Sequence, residues 1–131
     1  MTPSDNDRGD TVLAASQPRP ELVVRTRSGP DGAAVCVLAG DLDVETLAPA
    51  AETLADLVAQ RPRVLVLDLR GVGFCDSSGL NVLLRTRLGA ERAGLELRLA
   101  AVPATVMRVL DLTGARTVFA IHDTVDAALA G

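Results

Sequence analysis

Four small or polar residues, DSSG at 76–79, lie between two apolar stretches near the middle of the chain. The stretch before them is typical of a buried strand, and the stretch after them is typical of a helix. Asp and Ser side chains favour helix N-termini because they accept hydrogen bonds from backbone N–H groups, so a helix cap is the simpler explanation. One capping residue is enough for a helix, however, and three in succession favour an additional role for a serine hydroxyl.

The helix that follows these residues is predicted to start near Ser78, with a sheet-facing stripe of leucines at positions 80, 83, 84 and 88. This placement turns Asn81, Val82 and Arg85 outward, close to Ser77. An exposed valine beside an amide and a guanidinium is typical of a surface that contacts a protein partner. We therefore expect these three residues to bind a partner.

The common catalytic motifs are absent around the serines. G-x-S-x-G, the P-loop pattern and G-x-G-x-x-G do not occur. His122 has no Cys or second His near it in the sequence, so we expect no metal site. Asp68 ends a buried strand, but a receiver domain would also need a lysine, and this chain has none. We expect Asp68 to shape the loop that follows it, and we expect neither enzymatic activity nor a cofactor.

Composition narrows the class of protein further. A chain of 131 residues that is 48% hydrophobic is expected to fold as one globular domain. Aromatic residues make up 2% and the net charge is −4, so nucleic-acid binding is not expected. No apolar run approaches the ~20 residues of a membrane span. Cys36 and Cys75 lie inside apolar runs, where we expect buried, reduced thiols in a cytoplasmic protein.

The hydrophobic pattern predicts an α/β fold. Residues 1–20 lack periodicity and are predicted to be a disordered tail, which leaves 21–131 as the domain. A hairpin of two strands is followed by a helix and then by strand–helix alternation, which predicts parallel strands joined by crossover helices. The expected architecture is a mixed sheet of about five strands with about four helices packed against it. Strands are predicted at 21–27, 33–40, 63–69, 95–101 and 117–121.

Two segments resemble a known family. VLVLDLRGVGFCDSSGLNVLLRTR (64–87) closely resembles the signature of the STAS domain family, above all the anti-sigma factor antagonists of bacteria. VLAGDLDVETLAP (37–49) resembles a second family segment, which ends the hairpin and begins the first helix. The resemblance covers roughly residues 21–129. Asn81 stands where many relatives have Gly, so the partner surface of this chain is expected to be individual.

The resemblance implies a regulatory switch. The phospho-acceptor of the family is the hydroxyl residue directly after the Asp of the motif, which is Ser77 in this sequence. Asp76, Ser78 and Gly79 match the motif and are expected to shape its loop. The implied partners are an anti-sigma factor that is a serine kinase, which the unmodified protein binds, and a serine phosphatase that restores binding. The alternative is a STAS scaffold in another signalling or lipid-transport complex, with Ser77 structural.

Overall fold

The computed structural model of the protein describes residues 22–130. Its strands and helices in chain order are β1 (Val23–Ser28), β2 (Ala34–Leu42), α1 (Leu47–Ala59), β3 (Val64–Cys75), α2 (Ser77–Ala93), β4 (Glu96–Ala100), α3 (Ala104–Thr113), β5 (Ala120–His122) and α4 (Val125–Ala130). Residues 1–20, the predicted tail, lie outside the described residues, so the disorder of that segment stays a prediction.

The five strands form one mixed sheet in the spatial order β1-β2-β3-β4-β5. β1 and β2 pair antiparallel, and every later pair is parallel. Because each parallel strand lies beside its predecessor, right-handed crossovers return every connecting helix to the same face of the sheet. The predicted α/β fold is therefore confirmed, and the strand order, which the sequence pattern left open, follows the chain order.

The alternation of side chains along β3 divides the core into two layers. Leu65, Leu67 and Leu69 are fully buried in the cluster that α1, α2 and α3 cover. Val64 and Val66 point to the opposite face, where they pack in a smaller cluster that includes Ala128 of α4. A strand with apolar residues on both faces needs this double cover, which explains its continuous run of Val and Leu.

β3 is longer than the predicted strand at 63–69. The segment GVGFC, expected as a loop, continues the strand to Cys75 and pairs with the second half of β2. Gly71 makes this pairing possible, because a Cβ at that position would lie 2.7 Å from the Cβ of Ala39. Gly71 thus permits the close approach of β2 and β3, whose pairing in this region has an irregular register.

The last predicted strand, at 117–121, is wrong in its first part. Residues 115–118 form a short 3-10 helix after the left-handed Gly114, and β5 pairs over Ala120–His122. Gly94 and Gly114 end α2 and α3 with positive φ, a conformation that glycine commonly adopts after the last residue of a helix. Thr124 caps α4, because its hydroxyl accepts a hydrogen bond from the Ala127 N–H at 3.0 Å.

Candidate functional site

Asp76 is the N-cap of α2. Its backbone is extended, and its carboxylate Oδ1 accepts a hydrogen bond from the Gly79 N–H at 3.0 Å. Its carbonyl oxygen accepts the Leu80 N–H at 3.0 Å, which opens the helical ladder. Of the three capping candidates in the sequence, Asp76 is therefore the one that caps the helix, and both serines are left for another role.

Ser77 occupies the first position of α2 and is exposed. Within residues 22–130 the Ser77 hydroxyl has no hydrogen-bonding partner. Ser78, one position further, is less accessible than Ser77, because it is half-buried. The first N–H groups of a helix have no partner inside it, and the helix dipole places partial positive charge at the same end. Ser77 thus holds an accessible hydroxyl where additional negative charge is favourable.

Gly79 fixes how closely the start of α2 approaches the end of β2. A Cβ at Gly79 would lie 2.5 Å from the carbonyl oxygen of Leu42 and 2.9 Å from the Sγ of Cys75. The same Leu42 carbonyl accepts the Asp76 N–H at 3.2 Å. The turn that carries Ser77 is therefore held against a central strand by a backbone hydrogen bond and by a contact that only glycine permits.

A second ordered loop, residues 43–46, lies beside this turn. Asp43 is buried, and its Oδ1 accepts hydrogen bonds from the Glu45 N–H at 3.0 Å and from the Thr46 N–H at 3.2 Å. Thr46 occupies the N-cap position of α1, but its hydroxyl donates to the Asp41 carbonyl at 2.6 Å and does not cap the helix. These bonds hold Val44 at the loop tip with 73% of its surface exposed.

The partner surface differs from the sequence prediction. Asn81 and Arg85 are exposed as expected, but Val82 is only 9% exposed, so the prediction that it faces outward is wrong. α2 packs against α1 as well as the sheet, and Val82 lines the groove between the two helices together with Leu54 of α1. The buried face of α2 is therefore wider than the predicted stripe of leucines. Leu88, which was predicted to face the sheet, is 43% exposed, so the buried face is rotated away from it.

Two exposed apolar side chains near Ser77 were missed. Phe74 is 49% exposed at the end of β3, and Val44 projects from the neighbouring loop. β2 and β3 end side by side, with Asp41 opposite Phe74 in the register. The sequence offered one signal for Val44, a lone valine between two acidic residues, and another for Phe74, which is one of two aromatic residues in the chain.

Both cysteines are buried free thiols, as predicted. Burial raises the pKa of Cys36 to about 11. The pKa of Cys75 is also raised to about 11, first by burial and then by the negative charge of Asp76. Cys75 lies directly beneath the α2 N-terminus, where it packs against Gly79. At neutral pH both side chains are therefore neutral packing groups.

His122 and Asp68 are the other candidates in the sequence. His122 ends β5 and is half-buried, and within residues 22–130 no three His, Cys, Asp or Glu side chains are grouped to hold a metal ion. Asp68 is buried and accepts the Arg70 N–H at 3.1 Å; it shapes the strand itself, because the expected loop is absent. None of the helices in residues 22–130 combines the length and apolarity needed to cross a membrane.

Comparison with known proteins identifies the family of this chain. The family model described as STAS domain matches residues 23–128. The chain belongs to the STAS domain family. The anti-sigma-F factor antagonist RsfB of Mycobacterium tuberculosis is 31% identical over 114 residues, which cover 86% of this chain and 91% of RsfB.

Solved structures of STAS proteins share the fold. The crystal structure of an anti-sigma factor antagonist from Mycobacterium paratuberculosis superimposes with a TM-score of 0.75 at 29% identity, over 84% of this chain and 92% of that chain. The Bacillus cell fate determinant SpoIIAA in its phosphorylated form gives a TM-score of 0.66 at 17% identity, over 82% and 97% of the two chains.

Proposed function

We propose that this protein is a cytoplasmic anti-sigma factor antagonist that is switched by phosphorylation of Ser77. The unmodified protein binds an anti-sigma factor that is a serine kinase, and this binding releases a sigma factor for transcription. The observation that carries the proposal is the exposed hydroxyl of Ser77, which follows the Asp76 cap directly and has no hydrogen-bonding partner within residues 22–130. A relative that is 31% identical to this chain is an anti-sigma-F factor antagonist.

The chemistry of the switch belongs to the partner. The Ser77 Oγ attacks the γ-phosphorus of ATP, an O–P bond forms, ADP leaves with the bonding electrons, and a base of the kinase takes the hydroxyl proton. A serine phosphatase reverses the modification by hydrolysis. This chain acts as the substrate and the binding partner, and it needs no catalytic group or cofactor of its own.

The fold accommodates a phosphate on Ser77. The group would lie at the first turn of α2, where unpaired N–H groups and the helix dipole favour negative charge. Asp76 already occupies the Gly79 N–H, so the remaining first-turn amides are those available to a phosphate. We therefore expect the phosphorylated protein to keep its fold.

An interface around Ser77 does not accommodate the phosphate. Phosphorylation adds roughly −1.5 to −2 charges beside Asp76 on a protein whose net charge is already −4. Burying this charge against a partner without a compensating cation is unfavourable, so phosphorylation cancels binding by charge and size. The interface is proposed to include Asn81 and Arg85, which are exposed on α2, and Val44 on the adjacent loop.

Phosphopeptide mapping tests the assignment of the switch. Each histidine-kinase-like anti-sigma factor of the source organism is incubated with ATP and the protein, its Ser77→Ala variant or its Ser78→Ala variant. We expect phosphate on Ser77 in the wild type and in Ser78→Ala, and none in Ser77→Ala. Phosphate on Ser78, or no phosphorylation by any of these kinases, would favour the STAS scaffold hypothesis.

A further inference from the structure

Phe74 forms one wall of a pocket beside the Ser77 turn. The pocket has a volume of about 410 Å³, and it lies between the end of β3 and the first two turns of α3. The pocket is mostly apolar, and the residues that line it within 22–130 are Phe74, Cys75, Ala104, Thr105, Arg108 and Val109. Phe74 is one of two aromatic residues in the chain, and about half of its surface is exposed at this concave site. Large aromatic side chains are enriched at protein interfaces.

Arg108 gives this pocket a distinct charge. It is exposed on α3, and it is the one ionisable side chain with a charge at neutral pH among the described lining residues. Arg116 pairs with Asp111 and Arg87 pairs with Glu91, but Arg108 has no ion pair within residues 22–130. An unpaired guanidinium at the rim of an apolar pocket is complementary to a carboxylate next to an apolar side chain.

The pocket is continuous with the proposed switch surface. Ser77 lies three positions after Phe74 in the chain, so their Cα atoms lie within about 11 Å of each other. Cys75 lines the pocket and also contacts Gly79 at the start of α2. A partner that binds at Ser77 can therefore contact Phe74 within the same continuous interface.

We propose that the Phe74–Arg108 pocket is the second half of the docking surface and receives an apolar side chain flanked by a carboxylate from the anti-sigma kinase. This inference rests on the proposed function, because it names how the same partner is held. Phe74 supplies desolvated contact area, which governs the dissociation rate, and Arg108 supplies attraction at the rim, which governs the association rate. Neither residue takes part in phosphoryl transfer.

The test measures binding kinetics of the anti-sigma kinase that phosphorylates the wild-type protein. Phe74→Ala is expected to weaken affinity by about 10-fold or more through faster dissociation, while Phe74→Leu retains affinity within about threefold. Arg108→Glu is expected to slow association by about 10-fold at low salt, with a smaller effect at high salt. Leu88→Ala removes a side chain of similar exposure, 43%, from the far part of α2 and serves as the matched control with unchanged binding.

The outcomes separate the two proposals. Thermal melting of each variant shows whether it is folded, and Arg108→Glu, an exposed change, carries the test if Phe74→Ala unfolds. Wild-type affinity in both Phe74→Ala and Arg108→Glu, with binding still lost in Ser77→Asp, would overturn the pocket and leave the switch intact. A wild-type protein that binds none of these kinases would overturn the proposed function. Self-association that Phe74→Ala abolishes would assign the pocket to a second copy of this chain instead.

Discussion

The Asp76 side chain separates capping from switching within one short motif. Its carboxylate accepts the Gly79 N–H, and among the residues that the structure describes the Ser77 hydroxyl is left without a hydrogen-bonding partner. The residue types at 76–79 predicted a helix start and a functional serine, but they could not assign the two roles. Any of the three side chains can accept the N–H bond, and the extended backbone at Asp76 decides which one does.

Replacement of the cap is expected to lower stability. Asp76→Ala removes the bond to the Gly79 N–H, and the free energy of unfolding should fall by about 1 kcal/mol, within the usual range of 0.5–2 kcal/mol. Asp76→Asn keeps an oxygen that can accept the Gly79 N–H, so its free energy of unfolding should fall by only a few tenths of the decrease expected for Asp76→Ala. Urea denaturation of both variants measures the difference. Equal stability of Asp76→Ala and the wild type would show that another group caps α2.

The buried thiols should make stability depend on alkaline pH. Their pKa values are raised from 9.0 to about 11, so between these values the unfolded chain ionises while the native protein stays protonated. The stabilisation is complete below pH 9 and is lost as pH rises toward 11, because the native state then binds more protons than the unfolded one. The loss is on the order of 2 kcal/mol per thiol.

Urea denaturation under reducing conditions at pH 8.5 and 10.5 measures this effect. Cys36→Ala and Cys75→Ala should each show a smaller decrease between the two pH values than the wild type, whatever their stability at pH 8.5. Identical decreases in all three proteins would mean that the thiols do not titrate differently on folding.

At the scale of the elements, the strand and helix pattern was largely predictable from the sequence. The C-terminal ends of α2 and α3 are predictable because Gly94 and Gly114 adopt the positive φ that favours glycine after a helix. The face that α2 buries was not predictable in the same way. The periodic leucines identify the face of α2 that packs against the sheet. They do not identify the additional contact of α2 with α1, which depends on how the two helices are placed in the folded protein.

The corrected helix face reverses an expectation about Val82. With Val82 9% exposed in the α1–α2 contact, Val82→Ala should cost about 1–3 kcal/mol of unfolding free energy. Leu83→Ala, at a site that is 1% exposed, should cost about 2–5 kcal/mol. Leu88→Ala, at an exposed site, should cost less than about 1 kcal/mol. Chemical denaturation of the three variants checks the order, and a larger cost at Leu88 than at Val82 would contradict this helix orientation.

Gly79 and Gly89 provide a matched pair on α2. A Cβ at Gly79 would meet the Leu42 carbonyl oxygen at 2.5 Å, so Gly79→Ala should destabilise the protein by about 1–3 kcal/mol and slow phosphorylation of Ser77 by displacing its turn. A Cβ at Gly89 would lie 3.8 Å from the nearest atom of Val58, an ordinary contact. Gly89→Ala should therefore stabilise the helix by about 0.5–1 kcal/mol.

Thermal melting and a kinase assay on both variants test this pair. An unchanged melting temperature and phosphorylation rate for Gly79→Ala would show that the start of α2 can move away from β2 without consequence for the switch.

At the scale of the whole molecule, the sheet brings the functional segments to one edge. The carboxyl ends of β2, β3 and β4 lead into Val44, the Ser77 turn and the start of α3, as expected for ligand and partner sites in parallel sheets. The sequence predicted the fold class and the turn. It did not predict that Phe74 and Arg108 line the same pocket, because only the strand order brings the end of β3 and the start of α3 together.

The affinity of the anti-sigma kinase for the protein in each state of Ser77 tests the central claim most directly. We expect Ser77→Ala to bind within about threefold of the wild type, and both the phosphorylated protein and a folded Ser77→Asp variant to bind at least about 30-fold more weakly. Ser78→Ala, as the control, should bind like the wild type. Full-strength binding by a folded Ser77→Asp or by the phosphorylated protein would contradict the switch.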